Sequence, residues 1–331
     1  MQAISLVVPT CNRPGVLRNL LESLASIRLS QPLLILEVIL VSDGSKGESH
    51  PAYLNLAREF DARYFWFSQS RGPAFARNYG VAQAKGDWVW FCDDDLVLES
   101  CSFDELLKLT PAQDLVLIEG VTEVEEATGL GDKVPSRSDF KGGFGTGNLL
   151  VRRETFTRIG GFDQNYFRRR GRLHFREDTD LGLRMSREGK TVLLPKLLAF
   201  HPAEKATDPW FVLRDARKYW FDAYFKRNNS EAKLWIGTPF SKGKLGTYQL
   251  RGFVSDGILL HVLWGPMIFF PTIWFFQYLL LAVLILRNIR VRVSDLLYAI
   301  PVIFVYPWVH SWFYWRGCFS LYFRPRNLYQ F

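Results

Sequence analysis

The first half of the chain alternates short apolar runs with amphipathic stretches, the pattern of βαβ units that feed a mainly parallel sheet. Ile4 to Val8 reads as a strand. Pro14 to Ile27 reads as a helix with proline in its first turn, and Val16, Leu17, Leu20, Leu21 and Leu24 recur along it at helical spacing. Strands are expected at Ile35 to Val41, Tyr64 to Phe67 and Trp88 to Cys92, with helices at Tyr53 to Phe60 and Pro73 to Ala84 between them. Further strands are expected at Asp114 to Glu119, Leu149 to Val151 and Thr191 to Leu194, with a helix at Glu177 to Glu188. Gly120 to Gly142 reads as a polar loop or hairpin. Thr10, Asp43, Ser68 and Asp93 each follow a strand end. In open α/β sheets ligands sit beyond the carboxyl ends of the strands, which places a single site along that edge.

After His201 the pattern changes. Trp210 to Arg227 interleaves Trp210, Phe211, Tyr219, Trp220, Phe221, Tyr224 and Phe225 with Arg214, Arg217, Lys218, Lys226 and Arg227. Such a helix suits a membrane interface, the alternative being an amphipathic helix packed on its own domain. Ile258 to Leu286 contains no Asp, Glu, Lys or Arg. As one helix it would be roughly 43 Å long, against a hydrocarbon core of about 30 Å. Leu296 to Trp315 is a second uncharged stretch. A membrane-embedded region is the expectation, by crossing or by re-entry. Crossing would carry Arg287, Arg290 and Arg292 opposite the first domain, against the positive-inside rule, whereas breaks at Pro266 and Pro271 would permit a re-entrant hairpin. The predicted organisation is a first domain over 1–205, an amphipathic interfacial segment over 206–257, and membrane-embedded helices with a short basic tail over 258–331.

Composition narrows the partners. The chain has 331 residues, 15% aromatic, with a net charge of +8, which favours anionic partners such as nucleotides or phospholipid headgroups. Nucleic acid fits poorly, because the basic residues gather near the apolar segments and not on an evident recognition module. Cys11, Cys92, Cys101 and Cys318 lack metal-ligand spacing and read as reduced thiols of an intracellular protein. Met1-Gln2-Ala3 leads straight into a strand, so no signal peptide is expected.

The chemistry concentrates at Phe91-Cys92-Asp93-Asp94-Asp95, where a buried strand ends in three carboxylates. Adjacent acids repel. A hard divalent cation with oxygen ligands, itself holding a phosphate-bearing substrate, makes the arrangement tolerable. Along extended backbone Asp93 and Asp95 point one way and Asp94 the other. A solvated acidic turn is the alternative for an isolated triplet.

This triplet is not isolated. Val7-Val8-Pro9-Thr10-Cys11-Asn12-Arg13, Val41-Ser42-Asp43-Gly44-Ser45, Arg71-Gly72-Pro73-Ala74-Phe75-Ala76-Arg77-Asn78, the acidic run, Gly145-Thr146-Gly147-Asn148 and Glu177-Asp178 occur in that order. Together they resemble the family 2 glycosyltransferases of GT-A fold over roughly residues 4 to 201. Membrane-attached members that build bacterial surface polysaccharides or glycolipids are closest in layout. The resemblance implies a Rossmann-like mainly parallel sheet followed by interfacial and transmembrane or re-entrant helices.

It also implies roles. Pro9, Thr10, Asn12, Arg13, Asp43, Arg71, Arg77 and Asp93 fall on the nucleotide pocket. An Arg there holds a diphosphate by charge-assisted hydrogen bonds, although Arg77 can equally tether the acidic strand end. Asp93 and Asp95 match the DxD positions, with Asp95 a direct metal ligand and Asp93 on ribose or metal. His201 matches a histidine near the metal or diphosphate, or is a loop residue. The implied cofactor is Mn²⁺ or Mg²⁺ acting as a Lewis acid on the leaving nucleotide. Asp178 is the implied general base, with Glu177 orienting it or touching the acceptor. The structural alternative for that pair is a helix N-terminus favoured by the macrodipole. Gly147, Asn148 and Arg184 belong to the acceptor side. Asp94 is a variable position and receives no role.

Two departures matter. Arg168, Arg169, Arg170, Arg172 and Arg176 precede the implied base more densely than the family requires, and suit a phosphate-linked acceptor, anionic lipid or a solvated loop. The Gln-x-x-Arg-Trp motif of processive synthases is not evident after Asp178. The expected activity is therefore a single inverting transfer. A sugar would move from a nucleotide-diphosphate donor to a hydroxyl of a lipid-linked or surface-glycan acceptor, at the cytoplasmic face of the inner membrane. The rivals are transfer to a polyprenyl phosphate, or a non-catalytic nucleotide-sugar-binding subunit of a membrane assembly.

Overall fold

The computed structural model describes residues 3–30, 36–99, 112–125, 142–169, 172–203, 210–229 and 296–323, with Asp104, Leu106, 278–280, 282 and 283. Two compact units result. The first comprises 1–123, 137–202 and 329–331, the second 124–136 and 203–328.

In the first unit the parallel half of the sheet is β1 (Ile4–Thr10), β2 (Leu36–Asp43), β3 (Ala62–Phe67) and β4 (Trp88–Cys92). Their connections carry α1 (Pro14–Ser30), α2 (His50–Glu59) and α3 (Pro73–Gln83). There follow β5 (Val97–Leu98), β6 (Leu115–Val124), β7 (Asn148–Arg152), α4 (Arg153–Arg158), the small hairpin β8 (Phe167–Arg168) and β9 (Leu173–His174), α5 (Glu177–Ser186) and β10 (Lys190–His201). The order across the sheet is β3-β2-β1-β4-β7-β6-β10-β5, with β8 and β9 pairing separately.

Side-chain alternation explains the layers. Ile4, Leu6, Val8, Trp88 and Trp90 share a cluster with Leu17, Leu20, Leu21 and Leu24 of α1. Val7, Val89 and Phe91 join Ala74, Ala76 and Val81 of α3 with Leu181 and Met185 of α5 in another. Because strand faces alternate, these clusters cover opposite faces of one sheet.

Register then positions the site. β1 pairs in parallel with β2 and β4, matching Thr10 to Ser42 and Val7 to Phe91, so their carboxyl ends come out along one edge. β7 runs antiparallel to β4 and sets Asn148 opposite Cys92. The short β5 pairs with Ala199 and Phe200, which returns His201 toward the acidic run.

Several predicted boundaries change. α1 extends to Ser30 and β6 to Val124, while residues 126–141 of the predicted polar loop lie outside the described residues. The strand expected to stop at Leu194 continues to His201. Pro195 argues for a stop, but Leu197 and Ala199 resume burial on the same face as Val192 and Leu194.

The second unit contains α6 (Phe211–Asp215), a 3₁₀ turn at Ala216–Tyr219, α7 (Trp220–Asn228) and α8 (Leu296–Phe323). Tyr219, Trp220, Phe221, Tyr224 and Phe225 are buried, as are Ala299, Val302 and Tyr306 of α8. This corrects the expectation of an interfacial helix for these five aromatics, whose surface is already covered by protein. Trp210 is exposed. Among the described residues no helix is long and apolar enough to cross a membrane. The uncharged run Ile258 to Leu286 lies outside the described residues except for 278–280, 282 and 283.

Candidate active site

At the end of β4 the chain turns, so the two-residue alternation stops at Cys92 and the three aspartates part company. Asp93 accepts from Arg77 Nη2 at 2.7 Å. Asp94 is buried, accepts from Thr10 Oγ1 at 2.6 Å and pairs with Arg13. Asp95 accepts from Arg13 Nη1 at 2.7 Å, and its other oxygen, Oδ1, lies 3.0 Å from His201 Nε2. Asp93 and Asp95 are half-buried while Asp94 between them is buried; Asp93 is held from α3, and Asp95 by Arg13 of the β1–α1 loop and by His201 at the end of β10.

The variable position turns out to be the hub. Thr10 Oγ1 also lies 2.9 Å from the Tyr53 hydroxyl, which accepts the Arg13 backbone N–H at 2.8 Å. Burial pushes the Asp94 carboxyl up to about 6, against the opposing pull of Arg13 and Thr10. For Asp95 burial opposes ionisation too, yet His201 and Arg13 hold it down at about 2. His201 itself is raised: burial alone would lower it, but Asp95 prevails.

Loop contacts fix the rest of this edge. Asn12, at φ 56°, donates its backbone N–H to Ser45 Oγ at 2.9 Å and accepts from the Lys46 N–H at 2.8 Å. Asp43 accepts from Ser70 Oγ at 2.9 Å and from the N–H groups of Arg71 and Gly72 at 2.9 and 2.7 Å. Burial raises its carboxyl nonetheless. The Asp43 side chain therefore closes the β3–α3 loop. That loop needs Gly72, whose φ is 99° and whose added Cβ would collide with Phe167. Arg71 is exposed and stacks over Phe75 at 3.7 Å. Pro9 lies next to last in β1, opposite Val41.

The second acidic pair opens α5. Arg176 precedes it in left-handed backbone at φ 76° and is buried. Glu177 is buried and pairs with His174 Nδ1 at 2.8 Å. Burial would raise its carboxyl, but His174 and Arg77 outweigh that and hold it below its ordinary value. Asp178 behaves oppositely. Burial and then the Glu177 charge push it up to about 6, with the Thr179 N–H at 2.6 Å, Arg77 and Arg176 only partly offsetting. Arg77 thus links the two acid groups: it bonds Asp93 and its charge is felt by Glu177 and Asp178.

Acceptor-side residues divide. An added Cβ at Gly147 would lie 3.4 Å from Asp93 Oδ2, so this glycine faces the acidic edge. Asn148 has another task. Its side chain is buried, accepting from Trp90 Nε1 at 3.0 Å and donating to the Val121 and Leu197 carbonyls at 3.1 and 2.9 Å. It ties β4, β6 and β10 together, with both amide hydrogens engaged. Arg184 donates to Asp180 at 2.8 Å and to the Ile159 carbonyl at 3.2 Å, at a cleft of about 660 Å³ lined by 159–164.

Tyr53, His174 and Glu119 are functional neighbours the sequence did not reveal. Glu119 is buried and accepts from the Gly142 and Phe144 N–H groups, both at 2.8 Å, holding the approach to Gly145-Thr146-Gly147. Its signal is an acid directly after the apolar run Leu115 to Ile118.

Among the described residues no group of three or more His, Cys, Asp or Glu side chains is gathered closely enough to hold a metal ion. The donor chemistry of the nearest set still fits one. Asp95 Oδ1 is buried beside His201 Nε2, and the other ring nitrogen lies 2.8 Å from the Pro202 carbonyl. That contact makes Nδ1 the donor, so Nε2 carries the second proton toward Asp95 in the ion pair and presents a lone pair once that proton is released. Carboxylate oxygen with imidazole nitrogen suits Mn²⁺.

The family model described as Glycosyl transferase family 2 matches residues 5–168. This is a family 2 glycosyltransferase domain. The GalNAc(5)-diNAcBac-PP-undecaprenol β-1,3-glucosyltransferase of Campylobacter jejuni is 31% identical over 110 residues, 33% of this chain and 34% of that protein. An uncharacterised glycosyltransferase of Bacillus subtilis, YwdF, is 34% identical over 113 residues, 34% of this chain and 40% of that protein. The transferase chain thus spans well under half the length of these curated relatives. Among solved structures, mannosyltransferase PcManGT from Pyrobaculum calidifontis, in complex with GDP-Man and Mn²⁺, matches with a TM-score of 0.56 at 14% identity. The match covers 98% of this chain and 88% of that one. S. aureus TarS 1–349 in complex with UDP-GlcNAc matches with a TM-score of 0.50 at 14% identity, over 97% and 91% of the two chains. These likenesses establish the GT-A fold of the transferase.

Proposed function

We propose that the chain is an inverting glycosyltransferase. It moves a sugar from a nucleoside-diphosphate donor to a hydroxyl of a lipid-linked or surface-glycan acceptor, at the cytoplasmic face of the inner membrane. One observation carries the reading. Arg77 is buried between the two acid groups, and its Nε and Nη1 have no hydrogen-bond partner among the described residues. A buried guanidinium with idle donors is costly, and a diphosphate supplies the acceptors it lacks.

The residues then divide the labour. Asp178, with its carboxyl near 6, is ionised at neutral pH yet retains proton affinity, as a general base requires. It takes the proton from the acceptor hydroxyl while that oxygen forms its bond to the anomeric carbon. The bond from that carbon to the diphosphate oxygen breaks with its electron pair leaving on the nucleotide, so configuration inverts. Glu177, kept ionised by His174 and Arg77, sustains the proton affinity of Asp178 by like charge. Asp93, Asp95 and His201 would hold Mn²⁺ or Mg²⁺. When bound, that ion supplies Lewis acidity to the leaving diphosphate. Thr10, Asn12, Arg13 and Asp43 shape the nucleotide side. The lipid-linked acceptor is favoured by the Campylobacter jejuni relative, whose name gives a PP-undecaprenol acceptor.

The test is nucleoside diphosphate release by the purified full chain in detergent. UDP- and GDP-sugars would be offered in turn with Mn²⁺ or Mg²⁺, against free and polyprenol-linked oligosaccharides. Asp178→Ala and Asp95→Ala should abolish transfer in a folded protein, and full activity in either rejects the assignment. Arg172 and Arg176 favour a second reading, transfer to a polyprenyl phosphate, because the charge of Arg172 reaches Asp43 and that of Arg176 reaches Asp178. A phosphate oxygen is already ionised, so Asp178→Asn would then keep substantial activity.

A further inference from the structure

Helix α8 packs one side and shows the other. Val302, Tyr306 and His310 are buried, with the Tyr306 hydroxyl donating to that of Tyr219 at 3.3 Å and the His310 ring 4.2 Å from the Tyr219 ring. Gly317 comes so close to the Trp220 carbonyl that a Cβ there would strike it. The opposite side carries Ile300, Phe304, Trp308, Trp312, Trp315 and Phe319, all exposed, with Trp312 at 64% and Phe319 at 62%. Steps of three and four residues keep them on one stripe, about 28 Å long. The Tyr278 ring lies 4.8 Å from that of Phe304, tilted by 37°, and the adjacent Leu279 and Leu280 are exposed.

The borders of the stripe indicate its occupant. Residues just before and after Trp315 lie on its two flanks, since successive helical side chains point about 100° apart. On one flank Tyr314 receives Lys226, whose Nζ is 3.3 Å from the hydroxyl and 4.7 Å from the ring centroid. On the other flank stands exposed Arg316, its guanidinium 5.8 Å over the Trp220 ring. From Leu296 to Phe331 the sequence contains no acid at all. Apolar centre, indole-rich face and cationic margins together match the boundary between acyl chains and anionic headgroups. A second copy of the chain would need no cationic margin.

We propose that this stripe is a lipid-docking surface. α8 lies in the plane of an anionic bilayer, with its tryptophans at the headgroup boundary and Lys226 and Arg316 reaching lipid phosphates. The inference gives the membrane-face reading above a physical contact, and its test involves no catalysis, so either can fail alone.

The experiment uses the full chain bound to vesicles of phosphatidylcholine and phosphatidylglycerol, with Cys11, Cys101 and Cys318 replaced by Ser and the buried Cys92 kept. Spin labels are placed singly through Phe304→Cys, Trp308→Cys, Trp312→Cys and Phe319→Cys, and circular dichroism confirms the fold of each. Power saturation against oxygen and a nickel chelate then gives depth. All four labels should report one shallow depth, about 5–10 Å into the headgroup and acyl boundary. Arg316→Glu should weaken binding to these vesicles by about fivefold or more, with no such change on phosphatidylcholine alone. Depths that progress through the bilayer from Phe304 to Phe319 would mean a crossing helix and overturn the proposal. So would nickel access at every label, or dipolar broadening without lipid contact, the mark of a second copy.

Discussion

Two acid clusters face the same sheet edge, and the cations set around them differ. At the end of β4 each aspartate has a cation: Asp93 has Arg77, Asp94 has Arg13, and Asp95 has Arg13 with His201. At the start of α5, Glu177 has His174, whereas Asp178 has the Thr179 backbone and hydroxyl, with Arg77 and Arg176 offsetting burial only in part, and is raised to about 6. Asp95, gripped by His201 and Arg13, stays ionised, whereas Asp94 is raised to about 6 by burial in spite of Arg13 and Thr10. Asp178 is raised by burial and by the like charge of Glu177. The same side-chain chemistry thus yields a binding site and a base, sorted by burial and by the charges around each acid.

The largest expected effect breaks the second cluster. Asp178→Ala should lower transfer by about 10²–10⁴-fold, the ordinary contribution of general-base catalysis, with the circular dichroism spectrum unchanged. Activity within a few-fold of wild type would show that no base acts there.

A pH profile sharpens the contrast. Transfer by the wild type should fall about tenfold per pH unit below pH 6, as Asp178 takes its proton. Asp95, held near 2, should contribute nothing to that limb, whereas buried Asp94, also raised to about 6, titrates in the same range.

Arg77 joins the clusters, so Arg77→Met should disturb both. Removing one partner of a fully buried pair costs about 3–5 kcal/mol. The Asp93 side chain keeps 37% exposure, so a smaller loss, about 2 kcal/mol by denaturant midpoint, is expected here. In the same variant the acid limb of any residual activity should move to higher pH, because a cation that favours ionised Asp178 is gone.

The smallest effect is on stability alone. Asp178 has its folded carboxyl raised above the unfolded value of 3.8, so the folded state binds the proton more tightly. Its contribution is fully present below about pH 4 and is lost as pH rises through 6. Asp178→Asn should therefore gain on the order of 1 kcal/mol over wild type above pH 6, and not at pH 4. Equal gains at both pH values would mean that Asp178 is not raised.

The sequence carried the frame of this site because each motif follows a strand that stands out as a short apolar run. Ile4 to Val8 and Trp88 to Cys92 are nearly continuous apolar runs, the mark of strands buried on both faces, and Thr10 and Asp93 simply come after them. Partnerships were harder to see. Asp94 meets Thr10 and Arg13 across more than eighty residues, and no local spacing distinguishes it from its two neighbours. Tyr53 looked like one more apolar position of a helix, and only the fold carries its hydroxyl to Thr10 and Arg13. Asn148 sat in the right motif, but its amide is used by Trp90, Val121 and Leu197, three strands gathered by topology. β10 was cut short by Pro195, a residue whose local preference the sheet overrode.

The most direct measurement is the rate of nucleoside diphosphate release against pH for wild type and Asp178→Asn, run side by side with the same donor, metal and acceptor. The wild type should lose activity below pH 6, and the variant should be slower by two or more orders of magnitude, with the Asp178 share of that acid limb gone and only that of Asp94 left. A variant that matches the wild type in rate and keeps the same limb would contradict the assignment of Asp178 as the base.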